Sequence, residues 1–141
     1  MATLKSNKVT ANAPARDLPS GVLAVVGTYA LGAALALNDV IQMVTVPAGA
    51  TILDVLLAVT DLDTGGSPAI VLTVGDGGDT DRFVTASTVG QAGGVARLNA
   101  TTGAGYKYTA KDTIDVLVST GPATGATSGT VSLTVLYTMD P

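Results

Sequence analysis

Short apolar segments separated by clusters of turn-forming residues are the feature that most constrains how this sequence can fold. From residue 22 onward short apolar segments recur, and glycine, aspartate, proline or serine separates them. Such spacing is typical of a β-sandwich built from short strands. We predict about eight strands, from candidates near 22–31, 39–46, 52–60, 69–74, 82–88, 95–99, 106–110, 113–119 and 130–138.

Strict alternation of apolar and polar residues identifies the buried face of two of these segments. The apolar positions are Val131, Leu133, Val135 and Tyr137 in the last segment and Ile114, Val116 and Val118 in the one before it. Because successive side chains of a strand point to opposite faces, each set is predicted to face the core. Ile52–Val59 is instead apolar on both faces apart from Asp54. This pattern predicts a second sheet on one side and another cover, such as a partner subunit, on the other.

Composition favours the all-β class in a single domain. All 11 acidic residues are aspartate, a poor helix former, and the 141 residues include 17 glycines. At most a short helix is expected, at 30–38. Two turns are explicit in the sequence: a type II-like turn at Pro47-Ala48-Gly49, and a tight hairpin signalled by Asp76-Gly77.

The first 20 residues differ from the rest of the chain. They contain three of the seven basic residues, Lys5, Lys8 and Arg16, and little apolar material. We therefore predict an extended N-terminal arm at 1–20, outside the core of a single β-sandwich domain at 21–141. Its three basic side chains could contact a partner, and a frayed terminus is the alternative. The apolar run at 22–37 loosely resembles a signal peptide or anchor, but it is shorter than the ~20 residues that a membrane helix needs. We interpret it as a buried strand followed by a turn, and we expect no contact with a membrane.

Missing residue types exclude several kinds of chemistry. The sequence has no cysteine and no histidine, which excludes a cysteine nucleophile, a serine–histidine–aspartate triad and an ordinary zinc site. A net charge of −4 and an isoelectric point near 4.3 argue against nucleic-acid binding. We expect a protein without enzymatic activity and without a cofactor.

Two clusters of aspartates each have a functional interpretation as well as a structural one. Asp76, Asp79 and Asp81 lie on a glycine-rich loop, where oxygen ligands would suit calcium, although the spacing does not match an EF-hand. Exposed aspartates of a turn are the alternative. Asp61 and Asp63 alternate at a strand end, so they should point the same way and could act as the paired carboxylates of a glycoside hydrolase. The alternative there is a solvated strand end.

A pair of tyrosines is the remaining candidate for a contact site. Tyr106 and Tyr108 occupy one face of a predicted strand, where they could anchor an interface or form the rim of the core. Arg97 and Lys107 are isolated charges in apolar surroundings, and each could pair with an aspartate within the sheet or across a subunit boundary.

Several stretches of the sequence have a familiar pattern. They are Asp39–Val44, Val46–Val55, Leu72–Phe83 and Gly105–Val116. Over roughly residues 28–138 they resemble the capsid cement (decoration) proteins of short-tailed bacteriophages, such as that of the Bordetella phage. The motifs are turns and strands, so they are moderately specific.

The resemblance implies a jelly-roll-like antiparallel β-sandwich on the outer surface of a phage capsid. Proteins of that kind clamp neighbouring major capsid protein subunits without catalysis, usually as small oligomers. We expect a homodimer rather than a trimer, although the sequence is compatible with both. The alternative function is a receptor- or glycan-binding module of a phage tail fibre or surface adhesin.

Overall fold

The alternating segments form strands that pair into two sheets. The computed structural model describes residues 1–10 and 21–139. Within these ranges there are nine strands, a single-turn helix and a short 3₁₀ turn at Val89–Gln91. The elements are β1 (Thr3–Lys5), α1 (Asn7–Thr10), β2 (Leu23–Ala30), β3 (Val40–Val46), β4 (Ala50–Val59), β5 (Val71–Gly75), β6 (Val84–Ser87), β7 (Gly94–Arg97), β8 (Asp112–Thr120) and β9 (Thr130–Met139).

The order of the strands is that of a jelly roll. One sheet has the order β1-β3-β8-β5-β6 and the other has the order β2-β9-β4-β7. Apart from the parallel pair β1–β3, the strand pairs are antiparallel. From β2 onward the chain crosses repeatedly between the sheets, so neither sheet forms from consecutive strands alone. The predicted all-β sandwich of about eight strands is confirmed, with β1 as an additional edge strand.

The core lies between the inner faces of the two sheets. The alternating residues identified from the sequence are all buried there, from Ile114 in β8 to Tyr137 in β9. Side chains from both sheets fill the interior: the largest fully buried ones include Tyr137, Phe83, Ile41, Met43, Ile52, Leu57, Leu72, Ile114 and Leu133. Burying each of these apolar side chains contributes about 1.5–3 kcal/mol, which makes this layer the main source of stability.

The first ten residues pack against the sandwich. Thr3–Lys5 pairs with β3, and the buried hydroxyl of Ser6 donates a hydrogen bond to the carbonyl oxygen of Met43. In α1, the Asn7 side chain accepts a hydrogen bond from the backbone N–H of Thr28 at 2.9 Å. The expectation that this part of the arm lies outside the core is therefore wrong for Ser6. Residues 11–20, which include Arg16, lie outside the described residues.

A close approach between the sheets explains one glycine in β2. A Cβ atom at Gly27 would lie 2.1 Å from the carbonyl oxygen of Met43. This is shorter than any contact that a real side chain makes, so β2 can pass against β3 only where the side chain is missing. Met43 is the residue at which the register between β3 and β8 shifts.

Three local predictions differ from the structure. Residues 106–110 form no strand; they run beside the start of β4 through a single bridge between Thr51 and Lys107. Residues 31–38 form turns rather than a helix. The Asp76-Gly77 signal does not produce a two-residue hairpin, because the connection from β5 to β6 runs from 76 to 83. Within this connection the Asp76 side chain is buried.

Candidate contact surfaces

The Asp76 carboxylate is the centre of a buried polar network. It accepts hydrogen bonds from Arg82 Nε at 2.7 Å, from the Tyr108 hydroxyl at 2.8 Å, and from the backbone N–H groups of Gly78 and Asp79 at 3.0 and 2.9 Å. Arg82 Nη2 adds a fifth bond of 3.2 Å. Asp76 is buried, so the interpretation of this residue as an exposed turn aspartate is wrong.

Electrostatics keep Asp76 ionised and Tyr108 protonated. Burial alone would raise the pKa of Asp76, but the hydrogen bonds from Arg82 and Tyr108 outweigh it and hold that pKa below its usual range. Burial, together with the neighbouring carboxylate, raises the pKa of Tyr108 far above its ordinary value. Because protein donors already occupy the oxygens of Asp76, they are not available to calcium. Across the described ranges, no group of three or more acidic side chains is placed to hold a metal ion.

The two tyrosines meet, but in different environments. Their ring centroids lie 5.0 Å apart with an interplanar angle of 84°, an edge-to-face contact. The guanidinium carbon of Arg82 lies 3.9 Å from the centroid of the Tyr106 ring. Tyr108 is buried and belongs to the core, whereas Tyr106 is half-buried. Of the two alternatives for this pair, Tyr108 fits the one in which it forms the rim of the core. Only Tyr106 presents part of its ring outward.

Asp63 is a second buried carboxylate and joins two loops. It accepts backbone hydrogen bonds from Ala69 and Ile70 in one loop, at 2.6 and 3.1 Å. It also accepts them from Ala123 and Thr124 in the other loop, both at 2.8 Å. Burial opposes ionisation, but these four donors outweigh it and hold the pKa of Asp63 well below its usual range.

Asp61 does not form an acid–base pair with Asp63. Its carboxylate is exposed and accepts the backbone N–H of Asp63 at 3.0 Å, while the Asp63 side chain is only 1% exposed. The prediction that the two side chains point the same way is wrong, because the chain leaves the strand after Val59 and alternation ends there. Asp63 thus has a structural role in joining the loops.

Asp115 differs from Asp63 and Asp76 because its pKa is raised rather than lowered. It lies on the outer face of β8, beside a small cavity of about 90 Å³ that Asp76 and Thr80 also line. Burial, with smaller contributions from the charges of Asp112 and Asp76, raises its pKa to about 7. Within the described part of the chain, its Oδ1 atom is buried without a hydrogen-bond partner.

The outer face of the β2-β9-β4-β7 sheet, here called the four-stranded face, carries exposed apolar side chains. Val26 on β2, Leu53 on β4 and Val95 on β7 are 46%, 45% and 60% exposed. The outward positions, read from the strand register, are Ala24, Val26, Thr28, Ala30, Thr51, Asp54, Leu56, Ala58, Val95, Arg97, Thr130, Ser132, Thr134, Leu136 and Thr138. Among residues 1–10 and 21–139, no segment covers the second side of β4, where the sequence predicted a cover such as a partner subunit.

One ion pair and one hollow lie on the β9, β4 and β7 strands of the four-stranded face. Arg97 Nη2 donates to Asp54 Oδ2, and the arginine side chain is 67% exposed. Arg97 therefore pairs within the sheet, one of the two possibilities that the sequence left open. A shallow hollow of about 180 Å³ lies between Asp54, Leu56, Arg97, Thr134 and Leu136.

The predicted basic contacts lie elsewhere. Lys5 is exposed on β1, in register with Gln42, on the outer face of the five-stranded sheet. Lys8 falls in α1, and Arg16 is not among the described residues. Lys5 thus lies on the edge strand of the five-stranded sheet, whereas Tyr106 and Tyr108 run beside the start of β4. Sequence reasoning did not identify the four-stranded face as a site, although the two-sided apolar pattern of β4 pointed to it.

Comparison with solved structures supplies the family context. A chain from the capsid of Ralstonia phage GP4 shares 33% identity, with a TM-score of 0.87 and 99% of each chain covered. A chain from the capsid asymmetric unit of cyanophage Pam1 shares 32% identity, with a TM-score of 0.78, 92% of this chain and 91% of that one covered. A chain from the acidic stable capsid of Helicobacter pylori bacteriophage KHP30 shares only the fold, at 18% identity, a TM-score of 0.51 and coverage of 86% and 95%.

Other comparisons add nothing further. No protein-family model matches the sequence, and no curated protein is significantly similar to it. The described residues include no helix that is long and apolar enough to cross a membrane.

Proposed function

Since this chain belongs to the bacteriophage capsid proteins, we propose that it is a non-enzymatic cement protein of the virion. It binds the outer surface of the shell and clamps neighbouring major capsid protein subunits, with a homodimer as the favoured form. The four-stranded face is the observation that carries this proposal, because a broad apolar surface is normally covered by a partner.

The state of the buried polar groups supports a structural role. Asp63 is bound by four backbone N–H groups, and Asp76 is bound by Arg82, Tyr108 and the backbone. Both carboxylates are engaged in holding loops, and neither is placed to transfer a proton to a substrate. A clamp requires such rigidity, because it must hold its contact surfaces at fixed positions while the shell is under load.

The large number of equivalent sites on a shell also supports a cement function. A shell presents many equivalent sites, so contacts that are individually modest add up when each clamp bridges two subunits. The half-buried ring of Tyr106 and the basic residues Lys5, Lys8 and Arg16 are proposed as additional contacts with the shell. Exposed charges in such contacts steer association more than they strengthen it. Tyr108 supports Tyr106 from the core.

The glycan-binding alternative has weaker support. A sugar-binding surface generally needs exposed aromatic rings, yet Phe83, Tyr108 and Tyr137 are buried. Tyr29 and Tyr106 are only partly exposed, and they pack against the core.

Co-sedimentation with empty shells tests the proposal. Shells assembled from the major capsid protein alone are mixed with increasing amounts of this protein and centrifuged. Saturable binding, in a fixed ratio to the coat subunits, is expected. Absence of binding at every concentration would contradict the proposal.

A further inference from the structure

We infer that the four-stranded face is a self-complementary docking surface for a second copy of this chain, packed sheet against sheet. This inference rests on the proposed function, which assigns the protein to the virion. It goes beyond that function by naming the surface through which two copies join.

The shape of the face suits a copy of itself. Two sheets with the same twist pack face to face about 10 Å apart, as the layers of a sandwich do. Val26 and Val95 project at the margins of the face, and the hollow lined by Leu56, Thr134 and Leu136 lies between them. A twofold axis through the hollow would set the projecting side chains of each copy around the hollow of the other.

The charges on the face are also self-complementary. Among the described outward positions of these strands, the charged residues are Asp54 and Arg97, which already form an ion pair. Across a twofold axis, Asp54 of each copy can face Arg97 of the other. Each charge can then pair within its own chain or across the axis, so no unpaired charge is buried. The net charge of −4 therefore resides elsewhere on the chain and does not oppose this contact directly.

Two of the hydroxyl groups on the face are bonded to each other. Thr28 Oγ1 and Ser132 Oγ lie 3.1 Å apart and share a hydrogen bond. When the face is covered, each of these two hydroxyls keeps the other as a partner, which lowers the cost of burying them.

The size of the face predicts a modest affinity. Strands of 8, 10, 10 and 4 residues, with a rise of about 3.3 Å per residue and a spacing of about 4.8 Å, present roughly 500 Å² on each copy. Two such faces bury about 1,000 Å², the size of a weak or transient interface. We therefore expect a dimer that dissociates at low concentration in solution.

Sedimentation of the full chain over a concentration series tests this inference. We expect a monomer–dimer equilibrium that Val26→Asp shifts at least tenfold towards monomer. Leu37→Asp is the matched control, since Leu37 is similarly exposed at 53% but lies in the turn before β3, away from the face. Circular dichroism verifies that both variants are folded.

A cross-linking test locates the contact, because the chain has no cysteine of its own. Thr134→Cys, in the hollow, should give a disulfide-linked dimer on oxidation. Thr113→Cys should not, because Thr113 is half-buried on β8, on the outer face of the other sheet. A chain that stays monomeric at all concentrations, a trimer, or association that Val26→Asp leaves unchanged would overturn the inference.

Binding to shells separates this inference from the proposed function. If the native chain dimerises through this face but does not bind shells, the cement function is wrong and the docking surface stands. If it remains monomeric and Val26→Asp abolishes shell binding, the face serves a different shell protein; the self-docking inference is then wrong, and the cement function stands.

Discussion

Arg82 Nε and Asp76 Oδ2 lie 2.7 Å apart, with only 15% and 3% of the two side chains exposed. This ion pair connects the loop after β5 to the segment that carries Tyr106 and Tyr108, through the hydroxyl of Tyr108 and the contact of Arg82 with the ring of Tyr106. A buried ion pair of this kind makes the fold sensitive to the loss of either partner.

Replacing Arg82 should destabilise the fold strongly. Arg82→Ala leaves the buried Asp76 carboxylate without its counter-charge, and we expect a loss of about 2–4 kcal/mol in the free energy of unfolding. Urea denaturation measures this loss. Asp81→Asn, at an exposed position of the same loop, is the control and should change stability by less than about 0.5 kcal/mol. Equal stability of the two variants would show that the ion pair has no structural role.

Asp63→Asn should loosen two loops at once. An asparagine keeps one acceptor oxygen and turns an NH₂ group towards backbone donors, so we expect a loss of about 2–4 kcal/mol. Hydrogen exchange should increase at the amides of Ala69, Ile70, Ala123 and Thr124. Asp61→Asn is the matched control, with little effect on either measurement. If only one loop exchanges faster, Asp63 does not couple them.

Stability should depend on pH through Asp115. Burial raises the pKa of this carboxyl from 3.8 to about 7 in the folded state, so the folded chain binds its proton more tightly than the unfolded chain does. The contribution is fully present below about pH 4 and is lost as the pH rises to about 7. We expect a loss of about 1–2 kcal/mol over this interval, reduced from the full shift because the side chain is only half-buried.

The Asp115→Asn variant provides the control for this pH dependence. Its unfolding free energy should lack the decline between pH 4 and pH 7 and should exceed that of the native chain at pH 8. Asp63 and Asp76 act in the opposite sense, because their lowered pKa values make stability fall only when the pH drops below about 4. An unchanged slope in Asp115→Asn would show that other groups cause the dependence.

Gly27→Ala should disturb the contact between the sheets. The added methyl group would lie 2.1 Å from the carbonyl oxygen of Met43, so the backbone must move, at a cost of about 1–3 kcal/mol. Gly32→Ala is the matched control, because a Cβ there meets nothing within 4 Å. Thermal unfolding of the two variants measures the difference, and similar melting temperatures would contradict the proposed close approach.

The strands were predictable because each carries its pattern locally. Alternation at positions such as Val131 and Leu133 identifies both the strand and its buried face, and burial in the structure follows that pattern. β1 has no such pattern, since three residues are too few to show alternation and its partner strand lies 37 positions further along. β1 joins the sheet by pairing with the edge of β3 that β8 leaves open.

The environments of the aspartates could not be predicted from local sequence. Asp76 looks like a turn residue because Gly77 follows it, yet the hydroxyl that binds it belongs to Tyr108, 32 positions away. Asp63 likewise depends on donors 60 and 61 positions away. The four-stranded face was predictable only in part, because the pattern of β4 shows that both sides are apolar but not which side remains open.

Thermal disruption of capsids with and without this protein tests the cement function most directly. Particles lacking the protein are heated while DNA release is followed by the fluorescence of a DNA-binding dye, and the experiment is repeated after the purified protein has been added back to saturation. We predict that particles lacking it release DNA at a lower temperature and that adding it back restores the higher one. Equal release temperatures at full occupancy would contradict a cement function even for a protein bound to the shell.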